Sequence, residues 1–192
     1  SSLHKVLHPI GGRPMLHHLL DTAAPLMPLR NIIIAGAGIE QVERSVGSLA
    51  EIVVQEPPLG TGHAVQMAKD KLKGFKGTVL VLYGDVPLIT QSTMENMIKH
   101  KDAALVVLGF RPADPFRYGR LKLNETGELQ AIVEYKDASE EERKIDLCNS
   151  GIMAINGNHL FDLLDALDNK NAANEYYLTD LVGIANSQGH KC

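Results

Sequence analysis

The chain has 192 residues, 19 Lys and Arg against 23 Asp and Glu for a net charge of −4, and a hydrophobic fraction of 44%. Those figures suit one globular domain with a substantial core and exclude a disordered chain, a collagen-like chain or a disulfide-stapled miniprotein. Mild acidity, with no run of five Lys or Arg, argues against a nucleic-acid-binding module or a polybasic membrane tract.

The two cysteines, Cys148 and Cys192, form no C-x-x-C pair, so they offer no metal framework, and a reducing, cytoplasmic compartment is expected. The longest apolar stretches, such as Thr78 to Tyr83 and Ala103 to Phe110, are too short to span a bilayer. The N-terminus lacks the basic, apolar and small-residue regions of a signal peptide. Ser1-Ser2-Leu3 carries no initiator Met, so the natural start is expected upstream.

In chain order, the pattern predicts a helix over 14–24, with Pro14 at its first turn, then a buried strand over 32–35. A helix over 39–46, a strand over 51–54, a helix over 62–72 and a strand over 78–83 follow. Next come a helix over 91–101 and a strand over 104–108. The strand segments are continuous apolar runs, as expected where both faces of a sheet are covered. Their alternation with helices predicts βαβ units and a mostly parallel sheet. The pattern then changes. Arg120–Leu123 and Leu129–Glu134 flank the turn formers Asn124-Glu125-Thr126-Gly127 and predict a hairpin. A short capped helix at 139–143, a strand at 152–155 and helices over 159–167 and 178–186 complete the chain. The expectation is one α/β domain with an antiparallel insert.

Several segments carry chemistry. Ile32 to Gly38 starts like a dinucleotide fingerprint, but Gln41 stands where a third glycine is needed, so a strand ending in a Gly turn is expected instead. Tyr83-Gly84-Asp85-Val86-Pro87 ends the strongest strand. At the carboxyl end of a sheet strand, Asp85 can hold Mg²⁺ and Gly84 can let backbone approach a ligand; both are equally residues of an ordinary turn. Gln55 to Ala64 also leads from a strand into a helix, where Gly60 exposes N–H donors and Thr61 can serve as an N-cap. The capping role is the favoured expectation for Thr61. The eight histidines show no metal-binding pattern and are expected at solvent or core-edge positions. Neither a G-x-S-x-G elbow nor a P-loop motif occurs.

Five separated segments together resemble one family: Ser2 to Pro9, Leu59 to Ala64, Tyr83 to Leu88, Ile132 to Ala138, and Asn174 to Asp180. Their order and spacing are similar to the uridylyltransferase half of the bacterial bifunctional N-acetylglucosamine-1-phosphate uridylyltransferase/glucosamine-1-phosphate acetyltransferases. The resemblance implies a Rossmann-like nucleotidyltransferase fold. It also implies uridylyl transfer from UTP to N-acetylglucosamine 1-phosphate, giving UDP-N-acetylglucosamine and pyrophosphate for cell-envelope precursors. It further implies Lys5 as the catalytic, phosphate-binding lysine and Asp85 as the Mg²⁺ ligand. Gln55, Gly60 and Thr61 match positions around uracil and ribose, Tyr83 and Gly84 line the nucleotide site, and Gly119, Glu134 and Asn149 match amino-sugar positions. The family usually has Pro at the His4 position and Asn-Thr-Gly where this chain has Asn149-Ser150-Gly151.

The family opens with a strand and a Gly-rich Arg-bearing loop that would precede this sequence. It places a second Mg²⁺ ligand, an Asn, beyond Cys192, and no hexapeptide repeat of the acetyltransferase half is seen here. An internal piece of a longer enzyme is therefore expected, poorly active and monomeric alone, with a homotrimer at full length. Two alternatives remain: another sugar-phosphate nucleotidyltransferase, or a noncatalytic sugar-nucleotide-binding domain on the same scaffold.

Overall fold

The computed structural model describes residues 3–36, 38–171 and 173–192. Two short strands, β1 (Pro9–Ile10) and β2 (Arg13–Pro14), form a hairpin leading into α1 (Met15–Ala23). Gly11 and Gly12, both at positive φ, make its two-residue turn, which L side chains resist. β3 (Ile32–Ala35), α2 (Ile39–Val46) and β4 (Glu51–Val54) form a right-sized βαβ unit with β3 and β4 parallel. α3 (Thr61–Gln66), β5 (Thr78–Val81), α4 (Gln91–Ile98) and β6 (Leu105–Phe110) follow. The hairpin β7 (Arg120–Leu123) and β8 (Leu129–Val133) precedes α5 (Glu140–Arg143), β9 (Cys148–Asn156), α6 (Leu160–Asp165) and α7 (Leu181–Ser187). Ser139 and Glu142 make a full capping box on α5, which accounts for so short a helix.

The sheet corrects one expectation. Among the described residues only β3–β4 is a parallel ladder; the five-stranded sheet of β5, β6, β7, β8 and β9 is paired antiparallel throughout. The reason is β9. Nine residues long rather than four, it runs between β5 and β6 and separates the two strands that a simple βαβ alternation would set side by side. β3–β4 and the five-stranded sheet are separate ladders.

β9 also explains how both faces of the sheet are covered. Ile152, Met153, Ala154 and Ile155 are at most 3% exposed, so successive residues are buried on opposite faces. Met153 and Ile155 pack with Leu160, Leu163 and Leu164 of α6 and Leu181, Val182 and Ala185 of α7. Ile152 and Ala154 pack with Met94 and Met97 of α4 and Leu19 of α1. A third cluster joins Leu7 and Leu16 to Val42 and Val46 of α2. No helix among the described residues is long and apolar enough to cross a membrane.

Met153 pairs with Val81 on one edge of β9 and with Val107 on the other; Cys148 pairs with Phe110 on one edge and Arg120 on the other. β5 and β7 therefore share the edge opposite β6. They stop short of each other and leave residues 149–152 without a ladder partner on that edge. This interruption is where the candidate site forms.

Candidate active site

Beyond the end of β5, Tyr83 to Val86 form a hydrogen-bonded turn, Val86 N–H donating to Tyr83 O at 3.0 Å. A Cβ at Gly84 would lie 3.0 Å from Val6 Cγ1, so glycine is what lets the 3-10 turn Lys5–Leu7 press against this segment. That contact sets Lys5 beside Asp85, Nζ to Oδ2 2.6 Å. The turn and the charged pair coexist: Asp85 is a turn residue whose side chain faces the phosphate-binding candidate. The Lys5 side chain is 75% exposed and that of Asp85 35%, so this pair sits at an open mouth and contributes little to folding.

Gly119, Glu134 and Asn149 come together on the other side of the interrupted edge. Asn149 N–H donates to Gly119 O at 2.9 Å, and Asn149 Oδ1 accepts from Gly151 N–H at 2.9 Å. A Cβ on Gly119 would lie 3.4 Å from Glu134 Oε2. Burial pushes the Glu134 carboxyl up; a Thr179 hydrogen bond opposes this, and Asp137 and Asp180 add to it. Tyr83 links the two groups. Its ring packs on Gly151, where a Cβ would fall 2.8 Å from Cε2. Burial raises its phenol, Glu134 and Asp85 raise it further, and the Thr61 hydroxyl lowers it.

Gln55, Gly60 and Thr61 form the third group. Gln55 Nε2 donates to Gly60 O at 3.0 Å. Gly60 sits at φ +113°, and a Cβ there would lie 2.6 Å from Tyr176 O. The close approach permits Tyr176 N–H to donate to Leu59 O and Gly62 N–H to Tyr176 O, both at 2.8 Å. The favoured capping role of Thr61 is corrected. Gly60, not Thr61, is the N-cap of α3, and no side chain caps it. Thr61 Oγ1 instead accepts from Leu178 N–H at 3.0 Å, because Asn174–Leu178 folds directly over the start of α3.

His4 stands where the family usually has proline, and the structure uses the N–H that proline lacks: it donates to Gln41 Oε1 at 2.9 Å. Gln41, which breaks the dinucleotide pattern, thereby ties α2 to the Lys5 turn.

Sequence reasoning gave Arg120 no role. It is 2% exposed, and no acidic partner lies beside it among the described residues. Its guanidinium donates to Pro115 O and Phe116 O at 3.2 Å, to Arg143 O at 3.3 Å, and to Tyr118 O. It thus holds the loop before Gly119 and ties it to α5. Lys122, two residues on in the same strand, is exposed; the carbonyls of the loop just before Arg120, with that of Arg143 in α5, explain why Arg120 is not.

Among the described residues no group of three or more His, Cys, Asp or Glu is arranged to hold a metal. Mg²⁺ does not need one, since it commonly binds one or two carboxylates together with substrate phosphates and water. Asp85, partly open and next to Lys5, fits that pattern.

The layered α/β fold, with polar side chains gathered beyond the carboxyl end of β5, is that of a nucleotidyltransferase. The chain belongs to the MobA-like NTP transferase domain family, which matches residues 1–173. It is 53% identical to the bifunctional protein GlmU of Novosphingobium aromaticivorans over 196 aligned residues, covering all of this chain and 43% of that protein. It is 52% identical to GlmU of Paramagnetospirillum magneticum with the same coverage. The chain thus spans less than half the length of these curated relatives. A crystal structure of UDP-glucose pyrophosphorylase complexed with UDP-glucose superimposes with a TM-score of 0.74 at 16% identity, covering 98% of this chain and 80% of that one. That likeness concerns the fold.

Proposed function

We propose that this chain carries uridylyl transfer from UTP to N-acetylglucosamine 1-phosphate, releasing pyrophosphate and giving UDP-N-acetylglucosamine. The observation that carries the reading is the pair of polar groups gathered about Tyr83. Lys5 and Asp85 form one, Gly119, Glu134 and Asn149 the other, with Tyr83 between them. The high identity to GlmU proteins over the whole chain supports the choice of substrates.

In this reaction a phosphate oxygen of the sugar phosphate attacks the α-phosphorus of UTP and pyrophosphate leaves. Two anions must be brought together, so the protein's contribution is positioning and charge neutralisation. Lys5, on a long exposed side chain, supplies a mobile positive charge for the phosphates. Asp85 would hold Mg²⁺, which would withdraw charge from the phosphate oxygens when bound. Gln55, Gly60 and Thr61 bind the uridine, and Tyr83 and Gly84 line the wall beside it. Glu134 accepts hydrogen bonds from sugar hydroxyls, while Gly119 and Asn149 fix the amino-sugar. The free thiols of Cys148 and Cys192 support a cytoplasmic setting.

The test is pyrophosphate release with a panel of nucleoside triphosphates and sugar 1-phosphates in Mg²⁺, using the protein at its full natural length. Turnover should be greatest with UTP and N-acetylglucosamine 1-phosphate. Preference for another base or sugar would move the assignment within the class. Nucleotide binding without turnover on any pair would favour a noncatalytic domain.

A further inference from the structure

We infer that His63 is a positioning residue that sets base selectivity by fixing which atom of the Gln55 amide faces the nucleotide. The inference rests on the proposed uridine-binding role of Gln55.

Gln55 Nε2 lies 3.0 Å from Gly60 O and 3.0 Å from His63 Nδ1. A backbone carbonyl can only accept, so the amide atom facing Gly60 is the nitrogen. Its second hydrogen then points at His63, and His63 Nδ1 must be the acceptor. The ring proton consequently sits on Nε2, a tautomer dictated by the Gly60 carbonyl through Gln55. Both amide hydrogens are now used within the protein. Gln55 Oε1 has no hydrogen-bond donor among the described residues and is left as an outward-facing acceptor.

An acceptor at this position discriminates between pyrimidines. N3 of uracil carries a hydrogen and can donate to Oε1; N3 of cytosine is a lone pair and would be repelled. Were the amide free to turn, an N–H could face cytosine equally well. Gly60 O alone is a single tether, whereas Gly60 O and His63 Nδ1 together fix the orientation. His63 is held in turn by α3, whose first turn is clamped by Tyr176, and the two rings lie 6.5 Å apart. His63 contacts Gln55 and Tyr176 rather than the Lys5–Asp85 pair or Glu134, and has no part in the transfer itself.

The experiment compares wild type, His63→Ala and His63→Asn in the full-length protein, measuring kcat and KM for UTP and CTP and the KM for the sugar phosphate. In His63→Asn, Oδ1 can replace Nδ1 as acceptor. His63→Ala should lower the preference for UTP over CTP by about tenfold through KM, the worth of one well-placed hydrogen bond. Sugar-phosphate KM should not change, and His63→Asn should recover most of the selectivity. An unchanged UTP-to-CTP ratio in His63→Ala, or equal loss in the Ala and Asn variants, overturns the inference. Nitrogen NMR of the imidazole without nucleotide supplies a separate arm. A bare Nδ1 and a protonated Nε2 are expected whatever the substrate, and the opposite tautomer also overturns the inference. If the tautomer is as expected and wild type shows no preference for a uracil base, the proposed function fails instead.

Discussion

Lys5 Nζ and Asp85 Oδ2 stand 2.6 Å apart although 80 positions separate them in the chain. The contact is made across an open mouth, so each charge is compensated by a group that can let go of it. Asp85→Asn is therefore expected to change stability by no more than about 1 kcal/mol. Mg²⁺-dependent turnover should fall on the order of 10²-fold or more. A calorimetric scan beside a pyrophosphate assay checks both; full activity at ordinary Mg²⁺ would reduce Asp85 to a turn residue.

Glu134→Ala should impair use of the sugar phosphate more than use of UTP, by about 1–3 kcal/mol for a lost buried hydrogen-bond partner. Steady-state titration of each substrate separately decides it. A change confined to UTP would move Glu134 to the nucleotide end.

The same carboxyl makes a pH prediction. Burial is the chief reason that Glu134 is harder to ionise in the folded chain than at its ordinary value of 4.5. The folded state thus binds more protons than the unfolded state between the ordinary and the raised pKa, and stability falls as pH rises through that interval. Glu134→Gln removes this contribution. Melting temperatures measured from pH 4.5 upward should fall less steeply for the variant than for wild type. Parallel curves would show that the burial penalty is absent.

Gly60→Ala would place a methyl 2.6 Å from Tyr176 O and 2.8 Å from Tyr176 N, both backbone atoms, at a φ of +113°. The expected cost is about 2–3 kcal/mol. Weakened UTP binding should accompany it, because the 174–178 segment must back away from α3. A wild-type melting temperature with unchanged KM for UTP would mean that this contact is slack.

Arg120→Met should destabilise the protein by about 2–3 kcal/mol, since the buried guanidinium and its hydrogen bonds to four backbone carbonyls are lost at once. Arg120→Lys retains the charge without the planar fork and should recover only part of this. Denaturant unfolding of both variants is the measurement. Equal stability of Lys and Arg would show that charge, not geometry, holds the loop.

Local pattern made most of the framework legible. The strands at 32–35 and 51–54 and the helix at 39–46 have their expected bounds because each is a short apolar or amphipathic run closed by turn residues. The Ser139 cap was legible for the same reason. The β1–β2 hairpin was missed although Gly11-Gly12 marks it, the flanking strands being only two residues each. The antiparallel course of β9 was not legible, since Ile152–Ile155 reads the same whichever strands lie beside it. Among the site residues, Lys5 came from motif resemblance and Asp85 also from its place at the end of the strongest strand, and the structure brings them into contact. His63 and Arg120 escaped because their partners are backbone carbonyls and a side-chain amide, which leave no compositional trace.

β9 carries Asn149 near its first residue and the densest part of the core from Ile152 onward. A strand is stiff along its length, so these two duties cannot be adjusted independently. A methylene added or removed at Ile152 or Met153 would reposition Asn149 relative to Glu134 and be recorded in a kinetic screen as altered sugar preference, though the changed atom lies within the core. For the same reason, an enzyme of this build would acquire new sugars most readily through the loop that Arg120 anchors, where a backbone shift need not disturb the layers on either side.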